Sequence, residues 1–143
     1  MNMDIQLSNS SGYTLIEVLI VVVILSLLAT VAVPSYQEHM QRTRRADGKA
    51  MLFEVMQAQE RYFTENIKYT TKLKDLDYRA DTVASHEQFY LVSAMTCDVT
   101  PPMSNDINEC VKLEARPVGA QTKDGSLFID SYGNQLPADK WSR

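Results

Sequence analysis

The sequence predicts an α+β chain, a long N-terminal helix packed on an antiparallel β-meander. Three observations carry this. An apolar run with a single charge follows a short polar start, apolar residues recur at helical spacing as far as Phe63, and from Gln88 onward the period becomes strand-like and is punctuated by turn residues. The chain has 143 residues, 45% hydrophobic and 22% charged, so one modest core is the natural prior once the apolar run is set apart.

Residues 1–12, MNMDIQLSNSSG, are polar and patternless and read as a leader rather than part of a fold. Tyr13 to Val33 spans 21 positions whose only charge is Glu17. As a helix this run is about 30 Å long, the thickness of a hydrocarbon core. That argues against a free cytosolic enzyme. Thr14 followed three residues later by Glu17 is a capping-box pattern, and the carboxylate lies near the positive end of the helix dipole. Pro34 ends the run and is expected to kink or interrupt any helix that continues, because it lacks a donor and crowds the preceding turn.

The helical pattern does continue. Met51/Leu52, Val55/Met56, Gln59 and Tyr62/Phe63 recur on one side, flanked by Ala46, Ala50 and Phe53. Arg42, Arg45, Lys49, Glu54, Glu60 and Arg61 supply the polar remainder. The pattern predicts one helix of about fifty residues, buried all round in its first half and amphipathic in its second. Gly48 is a weak spot within it.

Residues 64–87 read as a long connection with a helical turn at Lys72–Leu76. Gln88–Cys97 is strand-like, and Cys110–Arg116 alternates Val111, Leu113 and Ala115 against Lys112, Glu114 and Arg116. Between them Pro101 and Pro102 keep the segment out of any ladder. Lys123-Asp124-Gly125 turns into a third strand, Ser126–Ser131, followed by Tyr132-Gly133-Asn134. Three strands in sequence order make a meander with one face free to cover the amphipathic half-helix.

Cys97 and Cys110 end one strand and begin the next, so a disulfide would close that hairpin at its loop end. A loop of this size restrains the unfolded chain by about 3 kcal/mol. An even cysteine count in an anchored or secreted domain favours pairing and places the domain outside the inner membrane. Two buried free thiols in a reducing compartment are the alternative. Arg42, Arg44 and Arg45 after the apolar run, with none before it, point the other way by the positive-inside rule. The cysteines are given more weight, since the arginines begin some distance from the run.

Fourteen Lys+Arg against eighteen Asp+Glu give a net charge of −4, from which no nucleic-acid partner is expected. No catalytic constellation, cofactor or metal is indicated. His39 and His86 are distant in sequence and read as solvated, and Asp75 and Asp77 as a polar turn. Asp124, Asp130 and Asn134 could form a calcium loop, but hairpin turn chemistry explains them more simply. The three arginines read as a solvated face or a subunit contact, and Met40, Met51 and Met56 as core filling.

Ser11-Gly12-Tyr13-Thr14-Leu15-Ile16-Glu17-Val18, the apolar run, and Pro34-Ser35-Tyr36 resemble the N-terminus of a type IV prepilin. Gln59–Phe63, Tyr90–Ala94, Gly125–Asp130 and Trp141 further resemble PilE-like minor pilins. The resemblance implies the type IV pilin fold, with a leader at 1–12, a transmembrane and assembly half-helix at 13–33, and a periplasmic head at 34–143. It also implies cleavage between Gly12 and Tyr13 by prepilin peptidase, N-methylation of Tyr13, and docking of Glu17 on a neighbouring subunit's terminal amine. Partners would be other pilin subunits through the N-terminal helix and the inner-membrane assembly platform. The protein would sit in the bacterial inner membrane before assembly and in an extracellular pilus after it.

A lone carboxylate in hydrocarbon costs a few kcal/mol, so Glu17 calls for a partner. Capping its own helix would be the structural explanation, and pairing across subunits the functional one. The function expected is a structural, non-enzymatic subunit of a type IV pilus, a minor pilin supporting assembly, motility, adhesion or DNA uptake. The alternatives are a pseudopilin of a type II secretion or competence filament, and a secreted domain behind a signal peptide cut near Thr30-Val31-Ala32. A membrane-tethered enzyme would need a constellation that the sequence does not offer.

Overall fold

A computed structural model describes residues 12–97 and 106–142, and the chain divides into two compact units, Met1–Glu38 and His39–Arg143. The leader expected at residues 1–12, apart from Gly12, and most of the loop carrying Pro101 and Pro102, lie outside the described residues. Helix α1 covers Leu15–Asn66, 52 residues, matching the length read from the pattern. Pro34 lies inside α1 rather than ending it. A proline removes one ladder bond, and continuous apolar or amphipathic sequence on both sides supports the rest of the helix.

In the first unit every described side chain is exposed. The all-round burial expected for this half-helix is absent from the single chain, so lipid or other protein must supply it.

The second unit holds the core. Five strands follow in the order β1 (Thr82–Ala84), β2 (Tyr90–Thr96), β3 (Val111–Pro117), β4 (Leu127–Asp130) and β5 (Gln135–Leu136), all antiparallel neighbours. A four-residue helix, α2 (Ala138–Trp141), comes after them. The three strands read from the sequence are the central ones. The two added strands are short edges of three and two residues, too brief to show a period of their own and formed by pairing with β2 and β4.

Alternation in β3 works as expected: Val111, Leu113 and Ala115 are fully buried. The register sets Val92 opposite Ala115, Leu113 opposite Ile129 and Ala115 opposite Leu127, so one sheet face is continuously apolar. Met51, Leu52 and Val55 of α1 share its core, with Tyr69 and Leu73 from the connection. The connection's helical turn is a 3₁₀ segment at Leu73–Leu76, and a second, unforeseen one covers Gly119–Asp124.

Gly48 corrects its sequence reading. It is a packing position, since a Cβ there would lie 2.8 Å from Cγ and Cδ2 of the Tyr90 ring. Only a residue without a side chain lets α1 come this close to β2.

Candidate functional site

The start of α1 is built by its own sequence. Thr14 precedes the first helical residue, and its hydroxyl accepts the Glu17 N–H at 3.3 Å while its carbonyl accepts those of Glu17 and Val18 at 3.1 and 3.2 Å. This is the Thr14 half of the capping box expected from the Thr14–Glu17 spacing. It places Glu17 in the first turn, the only carboxylate of an otherwise apolar surface. Tyr13, just before the helix, is 84% exposed.

The polar residues further along raise no barrier to a hydrocarbon environment. Ser26 donates to the Val22 carbonyl and Thr30 to the Leu27 carbonyl, both at 2.7 Å. With these donors satisfied inside the helix, the segment presents aliphatic side chains on every side. A continuous apolar surface of this kind marks a membrane or protein contact.

In the second unit the polar chemistry is structural. Arg45 donates through Nε to Asp124 Oδ2 at 2.9 Å and through a second nitrogen to Oδ1, a two-pronged pair that joins α1 to the end of the second 3₁₀ segment. The Tyr90 hydroxyl donates to Asp124 at 2.8 Å, and the Gln121 amide donates to Asp124, Tyr90 and the Gln41 carbonyl. Burial opposes ionisation of Asp124, yet the Arg45, Tyr90 and Gln121 donors outweigh it and hold the carboxyl below its ordinary value. Burial and the Asp124 acceptor push the Tyr90 phenol well above its usual range. The same bond to Asp124 raises the Arg45 guanidinium.

Two further clamps tie α1 to later parts of the chain. The buried Gln59 amide donates to the Thr70 carbonyl at 2.6 Å and accepts the Thr70 N–H at 3.1 Å. Asp47 accepts the Ser85 hydroxyl at 2.5 Å and the Glu87 N–H at 3.2 Å, and Ser85 in turn accepts the Tyr90 N–H at 3.0 Å.

The other residues singled out from sequence also fall into place. Cys97 and Cys110 form a buried disulfide with Cα atoms 5.8 Å apart, closing the β2–β3 hairpin. Arg45 is part of the internal pair rather than a free solvated charge, and Arg44 lies over the Phe89 ring at 4.7 Å. His86 meets Glu54 at 3.0 Å. Asp130 accepts the N–H groups of Tyr132 and Asn134 and the Asn134 amide, the turn chemistry expected there. Sequence reasoning placed Gln59 on the inward side of the helix without its Thr70 partner, and it missed Asp47 and the Arg45–Asp124 pair. A glutamine inside an apolar helical period was the available signal for the first of these.

Comparison with known proteins agrees with the helix start and with the head. Residues 7–33 match the prokaryotic N-terminal methylation motif, which weighs against an ordinary signal peptide. The type IV major pilin protein PilA of Myxococcus xanthus is 30% identical over 87 residues, covering 61% of this chain and 39% of that protein. The fimbrial protein of Neisseria meningitidis serogroup A is 26% identical over 117 residues, covering 81% of this chain and 69% of that one. Residues 34–127, well over half of the chain, match the family described as type IV minor pilin ComP, DNA uptake sequence receptor, and the protein belongs to that family.

Proposed function

We propose that this protein is a minor subunit of a type IV pilus that serves DNA uptake. It is made with a leader at 1–12, cut by prepilin peptidase between Gly12 and Tyr13 and methylated on the new Tyr13 terminus. Residues 13–33 hold it in the inner membrane, with the head of residues 34–143 in the periplasm, until the assembly platform moves it into an extracellular filament. The observation that carries this reading is the exposed apolar half-helix whose single carboxylate, Glu17, sits in a capped first turn. The disulfide supports an oxidising compartment for the head. The internal pairing of Arg45 weakens the contrary signal from the arginines after the run.

DNA as a partner replaces the expectation drawn from the net charge of −4. Net charge sums the whole chain, whereas a binding surface is local. The family description supports the replacement.

Within a filament the first turn of α1 is surrounded by apolar segments of other subunits, where an unpaired carboxylate is expensive. The positively charged amine of a neighbour's Tyr13 removes that cost and sets the axial stagger. Pro34, inside α1, belongs to the same assembly segment. Glu17→Ala should therefore leave membrane insertion and head folding intact while lowering incorporation into filaments. The test quantifies wild-type and variant protein in sheared filaments and in membranes at equal expression. Equal recovery in filaments would reduce Glu17 to a helix cap.

A further inference from the structure

Residues 44–47 of α1, Arg-Arg-Ala-Asp, carry three charges, and two of them are settled within the fold. Arg45 is paired with Asp124, and Asp47 accepts the Ser85 hydroxyl and the Glu87 N–H. Arg44 is the remainder. It pairs with no carboxylate among the described residues, and its Nε–H is buried without an acceptor. Arg61, Arg79 and Arg116 are exposed, so water serves their donors, whereas Arg44 is half-buried. A buried donor left unpaired costs free energy, which points to an acceptor supplied from outside the chain.

The surroundings hold the guanidinium ready for such an acceptor. Its carbon lies 4.7 Å from the centre of the Phe89 ring, which covers one side and adds a cation–π attraction. The ring is itself fixed, since the Phe89 carbonyl accepts the Val118 N–H at 2.9 Å and the next residue, Tyr90, is fully buried. Position along α1 narrows the source of the acceptor. Val33 ends the apolar run, and Arg44 follows eleven positions later (33 to 44), about 16 Å farther along the same helix. The headgroup layer extends about 5–7 Å beyond a hydrocarbon core. An arginine arm reaches back towards it, and the gap that remains is within a Debye length of about 8 Å. Tyr36, 66% exposed in the interval, is an aromatic residue of the kind that sits at the membrane surface.

We propose that Arg44 holds the phosphate of an anionic phospholipid in the membrane leaflet on the head's side, a contact made before assembly and broken when the subunit enters the filament. The proposal rests on the reading of residues 13–33 as the segment held in the membrane. A guanidinium fork suits phosphate through two parallel N–H donors, and an anionic headgroup supplies the counter-charge that Arg44 lacks within the fold. A zwitterionic headgroup such as phosphatidylcholine carries its own cation beside the phosphate and brings no net charge.

The test titrates the full chain in detergent with phosphatidylglycerol or phosphatidylcholine and reads bound lipid by native mass spectrometry. Arg44→Gln should weaken phosphatidylglycerol binding on the order of tenfold and leave phosphatidylcholine binding unchanged. Arg44→Lys, which keeps the charge but not the fork, should lose about threefold. Arg116→Gln, at an exposed position of β3, should change neither. A second measurement needs no variant: phenylglyoxal should label Arg44 of the wild-type chain several-fold more slowly in phosphatidylglycerol vesicles than in phosphatidylcholine ones. Equal phosphatidylglycerol binding by wild type and Arg44→Gln overturns the proposal, as does an equal loss from Arg116→Gln. Equal protection of Arg44 by inorganic phosphate in detergent would make it a general anion site and not a lipid contact. An Arg44→Gln chain that binds phosphatidylglycerol normally but is missing from filaments would make Arg44 a subunit contact. A wild-type chain that floats with vesicles of neither composition removes the membrane reading itself, whereas one that inserts and shows no lipid preference removes the Arg44 contact alone.

Discussion

Gly48→Ala puts two known effects in opposition at one atom. In an isolated helix the change is favourable by about 1 kcal/mol, because alanine restricts the unfolded chain and glycine does not. In this fold the new Cβ would sit 2.8 Å from Cγ and Cδ2 and 3.1 Å from Cε2 of Tyr90. These are atoms at the root and side of the ring, so a small rotation of the tip does not clear them. The ring is fully buried, and its hydroxyl is held by Asp124 at 2.8 Å. Overpacking a well-filled site costs about 1–3 kcal/mol, and disturbing the hydroxyl's bond adds about 1 kcal/mol. The balance is a net loss of about 1–3 kcal/mol, or a fall in melting temperature on the order of 10 °C for a head of this size. Thermal unfolding of a soluble chain beginning at Pro34, followed by circular dichroism, measures it. Combining Gly48→Ala with Tyr90→Ala removes the obstacle, so the two changes together should be less harmful than their sum by about 1–2 kcal/mol. A Gly48→Ala head as stable as wild type, or more so, would refute the close approach of helix and ring as the reason for glycine.

Asp124→Asn should destabilise the head by about 2–3 kcal/mol at neutral pH, because Arg45 loses its counter-charge in a site where the Asp124 side chain is only 4% exposed. The pH dependence has a definite sign. The folded pKa of Asp124 lies below its unfolded value, so its stabilisation is present above about pH 4 and lost as pH falls through the folded value. Acid unfolding of the variant should therefore be shallower than that of wild type. Quantitative thiol labelling under denaturing, non-reducing conditions should find no free cysteine, and Cys97→Ser with Cys110→Ser should cost the head about 3 kcal/mol. Two labelled cysteines in the native protein would reopen the question of compartment.

Much of this molecule could be read from local pattern. The helix start at Thr14, the length of α1, the alternating face of β3 and the Asp130 turn each depend on neighbours in sequence, and each is found where the pattern puts it. What was missed depends on partners far along the chain. Strands β1 and β5 exist through pairing with β2 and β4. Gly48 looks like a helix weakness until the Tyr90 ring is set against it, and Arg45 like a solvated charge until Asp124, 79 residues away, is brought beside it. Glu17 was legible as an anomaly, a carboxylate in an apolar run.

Processing as a pilin and assembly into a filament through the N-terminal helix leave a record at the terminus of the mature chain. The decisive measurement is the N-terminal residue and mass of the protein recovered from sheared filaments of the producing cells. The expected result is a chain beginning at Tyr13 that carries one additional methyl group. A terminus at Met1 or Met3 would contradict processing, and one at Val33, after a cut at Ala32, would make residues 1–32 a discarded signal peptide and leave no apolar half-helix to build the filament.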